Sequence, residues 1–189
     1  MKNIKEKLRN LKVLFLDADG VFFDGRETRA VTNEGVIVSK TRHFIDGQGL
    51  CFMRELGIRI VFVTGEGEPL DSLVGKFNAL PSAKSGRWAP IEIFSNENSN
   101  KLGVIKVWLE KNKIDKADAV YMGDDVNDFQ SMKEISKEGL TVAPANATRK
   151  ILPLADIVTK KTGGNGAIRE FAEMVLDARG KDESDFPPP

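Results

Sequence analysis

Three short apolar runs stop abruptly in polar or glycine residues, Val13-Leu-Phe-Leu16, Arg59-Ile-Val-Phe-Val63 and Ala119-Val-Tyr-Met122, and a fourth, Leu140-Thr-Val142, ends at Ala143-Pro144. Runs of this length bounded by turn chemistry read as buried strands. Ile91–Phe94 and Ile157–Val158 read as shorter strands. Between them lie stretches with helical spacing. Leu50, Phe52, Met53 and Leu56 mark a helix over 47–56, and Pro69 suits the first turn of a short one. A helix opening at Ser99 carries Leu102, Ile105, Val107, Trp108 and Leu109. Further helices are predicted over 126–135, 147–152 and 167–178. Residues 21–46 are rich in β-formers and interrupted by Asp24-Gly25 and Asn33-Glu-Gly35, and the alternation in Val36–Lys40 predicts a hairpin strand with one wet face. Residues 79–98 have loop chemistry. Strands alternating with helices predict an α/β fold with an open, mainly parallel sheet. A single domain over 1–180 is expected. The polar segment 181–189, ending in three prolines, is expected to be a flexible or partner-docked tail.

Composition narrows the function. Lys plus Arg and Asp plus Glu both number 28, so the net charge is zero, which argues against a nucleic-acid partner held by bulk charge. A single cysteine, Cys51, excludes an internal disulfide and a Cys-cluster zinc site, and a single histidine, His43, excludes a His-rich metal site. No apolar run approaches the roughly 18 residues of a membrane span. The opening MKNIKEKLRNLK has no apolar signal core, so a cytoplasmic, non-membrane protein is expected.

Ligands of open α/β sheets sit beyond the carboxyl ends of the strands, so the residues after each strand carry the functional signal. The first strand ends in Asp17-Ala-Asp19-Gly20, the second in Thr64-Gly65. A helix begins near Lys101, and a later strand ends in Gly123-Asp124-Asp125-Val-Asn-Asp128. Carboxylates converging on one rim repel; at an effective dielectric of 20 two like charges 4 Å apart cost about 4 kcal/mol. A hard divalent cation, magnesium, removes that penalty. The chemistry that fits is phosphoryl transfer to a carboxylate. Asp17 is the expected nucleophile, Asp19 the acid and then base, and Thr64 a donor to the phosphoryl oxygens. Lys101 is the expected neutralising charge. Asp124 is expected to bind the metal, with Asp125 and Asp128 as ligands or as groups holding the ligands.

These motifs, with Phe44-x-Asp-Gly-x-Gly49, Ser99-Asn-Lys101 and Gly163-Gly-x-Gly-Ala-x-Arg-Glu170, resemble those of the haloacid dehalogenase superfamily. They are similar in particular to its capless 3-deoxy-manno-octulosonate 8-phosphate and nonulosonate 9-phosphate phosphatases. The resemblance implies a Rossmann-like parallel sheet with helices on both faces, a β-hairpin insertion and no cap domain. Only 44 residues separate Asp19 from Thr64, which leaves no room for a cap there. The resemblance also implies magnesium held by Asp17, Asp124 and the backbone carbonyl of Asp19. It implies a homotetramer in which a neighbouring subunit partly covers the site, and substrate contacts from Gly65, Glu66, Asn100 and Arg169. Glu66 stands where the octulosonate enzymes usually carry Arg, which favours a nine-carbon substrate. Ile45 stands where Arg or another polar residue is often found, and residues 80–95 form a longer loop. The competing readings are a phospho-acceptor module without turnover and a degenerate regulatory subunit. Asp19 discriminates against the first, because an acid/base there makes an acyl phosphate short-lived.

Overall fold

The computed structural model describes residues 3–65, 67–95, 97 and 100–187. Helix α1 (Ile4–Asn10) leads into strand β1 (Val13–Leu16), and the hairpin β2 (Glu27–Thr32) and β3 (Gly35–Lys40) follows. Then come α2 (Phe44–Glu55), β4 (Arg59–Val63), α3 (Leu70–Asn78), the one-turn α4 (Pro81–Lys84) and β5 (Glu92–Phe94). The second half runs α5 (Lys101–Asn112), β6 (Ala119–Met122), α6 (Phe129–Ile135), β7 (Leu140–Ala143), β8 (Ile157–Val158) and α7 (Ala167–Arg179).

Six strands form one parallel sheet in the order β5-β4-β1-β6-β7-β8. Its central strands are apolar throughout because helices cover both faces. Alternate residues feed two cores. Leu14, Leu16, Phe62, Val120 and Met122 pack with Phe171 and Val175 of α7. Val13, Phe15, Val61, Val63 and Tyr121 pack with Ile105 and Trp108 of α5 and Met132 of α6. Phe15 meets Trp108 edge to face at 5.3 Å. The chain leaves β1 for β4 on one side and later reaches β6 on the other. The crevice beyond Leu16 is therefore the switch point where such sheets bind ligands.

Three expectations need correction. The helix predicted over 147–152 is absent; that stretch is turns, followed by a 3-10 turn at Leu152–Leu154. The amide of Thr148 donates to the carbonyl of Asp124 rather than to a carbonyl one helical turn back. The hairpin has no packed face: β2 is exposed throughout and β3 up to Lys40, with Val31 85% and Ile37 59% exposed. Residues 79–95 are not loose. They carry α4 and bury Trp88, with the Arg54 guanidinium stacked on its ring and donating to the carbonyls of Ala89 and Phe77.

His43 caps α2, its Nδ1 accepting from the amide of Ile45. Cys51 is buried, and burial pushes its thiol up to about 11, so it is no nucleophile. In the tail, the Phe186 ring lies 6.1 Å from that of Phe52 on α2 and Glu183 pairs with Arg169 on α7. Among the described residues no helix is long and apolar enough to cross a membrane.

The loop after β1 is clamped from below by the glycine-rich segment before α7. The amide of Gly163 donates to Asn146 Oδ1, Asn146 Nδ2 donates to the carbonyl of Gly20, and the amide of Gly164 donates to that of Val21. A Cβ on Gly163 would lie 1.8 Å from the Gly20 oxygen. The Gly163→Ala variant is expected to lose about 1–3 kcal/mol of stability. For a chain of this size that is roughly 2–4 °C of Tm per kcal/mol. A thermal melt with the wild-type midpoint would contradict this clamp.

Candidate active site

Asp17 follows β1 directly. Its amide donates to the carbonyl of Met122, and its Oδ1 accepts from the amide of Ala18 at 2.8 Å and lies 2.9 Å from Lys101 Nζ. Lys101 is the first residue of α5, yet its side chain is only 1% exposed, because it reaches inward between two carboxylates. The second is Asp128, whose Oδ1 is 2.8 Å from the ammonium and also accepts from the Tyr121 hydroxyl at 2.6 Å. Asp128 Oδ2 accepts from the amides of Asp124 and Asp125, at 2.9 and 3.2 Å. Fully buried, Asp128 thus holds the loop after β6 in shape while facing the lysine. Gly20, with φ of +78°, lets the two loops meet: a Cβ there would fall 2.0 Å from Asp124 Oδ2.

One carboxylate oxygen from each of Asp17, Asp124 and Asp128 lies within 4.8 Å of the others. Three acids against one lysine leave the cluster short of positive charge. Burial first, and then the Asp128 charge, push the Asp17 carboxyl up to about 7. Burial, Asp128 and Asp17 push Asp124 up to about 8. Burial works against the Lys101 ammonium, but Asp17 and Asp128 outweigh it and its value is raised. Asp124 Oδ1 is buried and has no hydrogen-bond partner among the described residues. A buried, unsatisfied carboxylate oxygen beside two other acids fits a hard divalent cation held through oxygen.

The other expected residues are placed as follows. Thr64 closes β4 with its amide on the carbonyl of Phe94 and is 1% exposed. Gly65 follows it on the same rim, and Glu66 lies outside the described residues. Asp125 is exposed and turns its side chain back to cap the short turn at Val126–Asp128, outside the carboxylate cluster. Asp19 is likewise outside it; its Oδ2 lies 2.7 Å from Lys40 Nζ. Asn100 is exposed and lines a cavity between β5 and α5 with Val107 and Trp108. The Arg169 guanidinium is taken up by Glu173 at 2.7 Å, by Glu183 and by the Phe52 ring. The amides of Gly163, Gly164, Asn165 and Gly166 are taken up by Asn146, Val21, Thr162 and Asp46.

Sequence reasoning missed Tyr121, Asn146 and Lys40. Tyr121 lies in an apolar run and opens the Tyr121-x-Gly-Asp-Asp125 motif, but nothing in that pattern gives its hydroxyl a partner. Asn146 sits in a turn-rich stretch with nothing to mark it. Lys40 ends an exposed strand, where lysine is ordinarily a solvated edge residue.

Residues 57–171 match the haloacid dehalogenase-like hydrolases. The chain belongs to that family. It falls among the family's phosphoric monoester hydrolases: 3-deoxy-D-manno-octulosonate 8-phosphate phosphatase KdsC of Escherichia coli K12 is 32% identical over 93% of this chain and 84% of its own length. The enzyme of the same name from Salmonella typhi is 30% identical over 95% and 86%. Among solved structures, the octulosonate 8-phosphate phosphatase of Moraxella catarrhalis superposes with a TM-score of 0.78. It is 26% identical and covers 95% of this chain and 94% of its own. That structure holds a magnesium ion, a phosphate ion and a KDO molecule. A Vibrio cholerae structure described as a phosphatase of the same kind gives a TM-score of 0.76 at 28% identity, over 95% and 91%. This haloacid dehalogenase-like hydrolase shares their capless α/β fold.

The raised values of Asp17 and Asp124 carry a sign. The folded chain keeps protons that the unfolded chain releases above about pH 4, so stability without metal falls as pH rises toward 8. A cation displaces those protons, so its stabilisation grows over the same window. At pH 8, magnesium at a hundredfold excess over Kd is expected to add about 2.7 kcal/mol, or roughly 5–10 °C of Tm. At pH 5 the gain is expected to be much smaller. Asp124→Asn should raise the metal-free Tm at pH 8 and remove most of the magnesium response. A magnesium shift independent of pH would contradict the charge deficit.

Proposed function

We propose that this phosphatase hydrolyses a sugar-acid phosphate monoester through an aspartyl-phosphate intermediate. The observation that carries the reading is Asp17 at the switch point, locked by Lys101 and the Ala18 amide beside Asp124 and Asp128. The carboxylate of Asp17 attacks phosphorus in line with the ester oxygen. As the P–O ester bond breaks, Asp19 gives its proton to the departing oxygen and the alcohol leaves. Water then attacks phosphorus, its proton passes to Asp19, the bond from Asp17 to phosphorus breaks and phosphate is released. Lys101 keeps the nucleophile fixed and offsets negative charge in both halves. Thr64 donates to the phosphoryl oxygens, from the rim it shares with Gly65. Asp17, Asp124 and the Asp19 backbone carbonyl would hold magnesium, with Asp128 fixing the Asp124 loop. Magnesium supplies a Lewis acid that offsets charge on the transferred group.

The relatives named above support an eight-carbon 3-deoxy-octulosonate 8-phosphate. Glu66, directly after Thr64-Gly65, supports a nine-carbon nonulosonate 9-phosphate instead, since an acid there suits hydroxyl or amino contacts better than a carboxylate. We favour the nine-carbon substrate on that residue. The assembly reading is a homotetramer in the cytoplasm. The hairpin supports self-assembly, because Val31, Val36, Ile37 and Val38 stand exposed on a strand pair with no packed face.

Phosphate release across octulosonate 8-phosphate, neuraminate 9-phosphate, its deaminated analogue and hexose phosphates is expected to be highest on the nine-carbon acids. Highest turnover on the octulosonate would overturn the Glu66 argument. Asp17→Asn is expected to abolish turnover on every member of the panel while leaving the circular dichroism spectrum unchanged, and retained activity would defeat the mechanism. Light scattering of the native protein is expected to give four copies. Ile37→Lys is expected to reduce that number, and a wild-type monomer would end the assembly reading.

A further inference from the structure

The expected acid/base, Asp19, stands apart from the carboxylate cluster and is held from outside the sheet. Its side chain is 40% exposed, and its Oδ2 lies 2.7 Å from Nζ of Lys40, the last residue of β3. The remainder of β3 is exposed, whereas the Lys40 side chain is 5% exposed. A lysine that could reach water from an exposed strand is instead turned into the protein. Burying an ammonium is costly unless it is paired, and here a carboxylate pairs it. The Phe23 ring lies 6.0 Å from the same ammonium. One residue further on, the carbonyl of Thr41 accepts from the amide of Asp24 at 2.9 Å, joining the foot of the hairpin to the loop that carries Asp19.

We propose that Lys40 is a positioning residue for the proton transfers of this site: from the foot of the hairpin it fixes the Asp19 carboxyl group in the one orientation that serves the leaving oxygen as acid and the attacking water as base. The proposal rests on the phosphatase reading above. Lys40 engages Oδ2, and among the described residues Oδ1 has no hydrogen-bond partner, so one oxygen is anchored while the other is left for substrate. Proton transfer needs the donor within hydrogen-bond reach of the departing oxygen. A misplacement of about 1 Å costs on the order of a hundredfold in rate. An exposed aspartate released from its anchor samples other rotamers and meets that condition only part of the time. Because the anchor belongs to the hairpin, the geometry of an element outside the catalytic sheet enters the chemical step.

The test compares wild type, Lys40→Met, Lys40→Arg, Asp19→Asn and the Asp19→Asn/Lys40→Met double variant. The substrates are the best sugar phosphate of the panel and p-nitrophenyl phosphate, whose departing phenolate needs little help from an acid. For Lys40→Met, kcat/KM on the sugar phosphate is expected to fall roughly 10–100-fold, and on the aryl phosphate by less than about threefold. Lys40→Arg is expected to restore most of the loss. In the Asp19→Asn background, Lys40→Met is expected to change nothing further, as coupled residues require. Equal losses on both substrates would show a merely structural lysine and overturn the proposal. Unchanged rates on both, or full additivity with Asp19→Asn, would also overturn it. If Lys40→Met does not fold, the comparison is made with Lys40→Gln under the same criteria. A wild-type enzyme inactive on all phosphate esters would sink the phosphatase reading itself. An active wild type matched by Lys40→Met sinks only the role of Lys40.

Discussion

Three carboxylates and one ammonium share a buried space beyond the central strand, and their charges do not balance. Asp17, Asp124 and Asp128 are brought within one ion's reach, and Lys101 answers only part of their charge. Burial first, and then that shortfall, raise Asp17 and Asp124 to about 7 and about 8. A structure built for stability alone would not hold these groups together. The rest of the molecule supplies the restraint that does: apolar strands covered on both faces, two tight loops, and the hydrogen bonds that tie the loops to each other.

Asp128 illustrates how this restraint works. It accepts from a tyrosine hydroxyl and two backbone amides while facing Lys101, so one side chain shapes the loop after β6 and fixes the lysine. Gly20 removes the Cβ that would collide with Asp124, and the segment at Gly163-Gly164 presses on the same loop from below. The cluster belongs to a haloacid dehalogenase-like hydrolase, and the side chains around it are engaged in different ways. Asp17 and Asp124 point into the shared space, whereas Asp125 serves as a cap and Arg169 pairs with Glu173 and Glu183.

The hairpin and the tail lie at the edge of this order. The hairpin is exposed on both faces apart from its last residue, where Lys40 turns inward to Asp19. The tail contacts α2 through Phe186 and α7 through Glu183. Both are peripheral to the sheet.

Much of this was legible along the chain. Apolar runs that stop in polar residues read as the strands of a doubly covered sheet, because a parallel strand buried on both faces needs apolar residues in succession rather than in alternation. The polar residues just past those runs, Asp17, Thr64 and Asp124, fall on the rim at the carboxyl ends of the strands because each follows a parallel strand. The expected helix at 147–152 failed because local spacing cannot show that the Thr148 amide is claimed by Asp124. The packed face expected of the hairpin failed because alternation records a preference for burial and not the presence of something to be buried against. Only the tertiary structure turned Lys40 toward Asp19, removed Asp125 from the cluster and gave Arg169 to the tail. Those outcomes depend on contacts between residues far apart in the chain, and no local pattern encodes which partner a long charged side chain will reach.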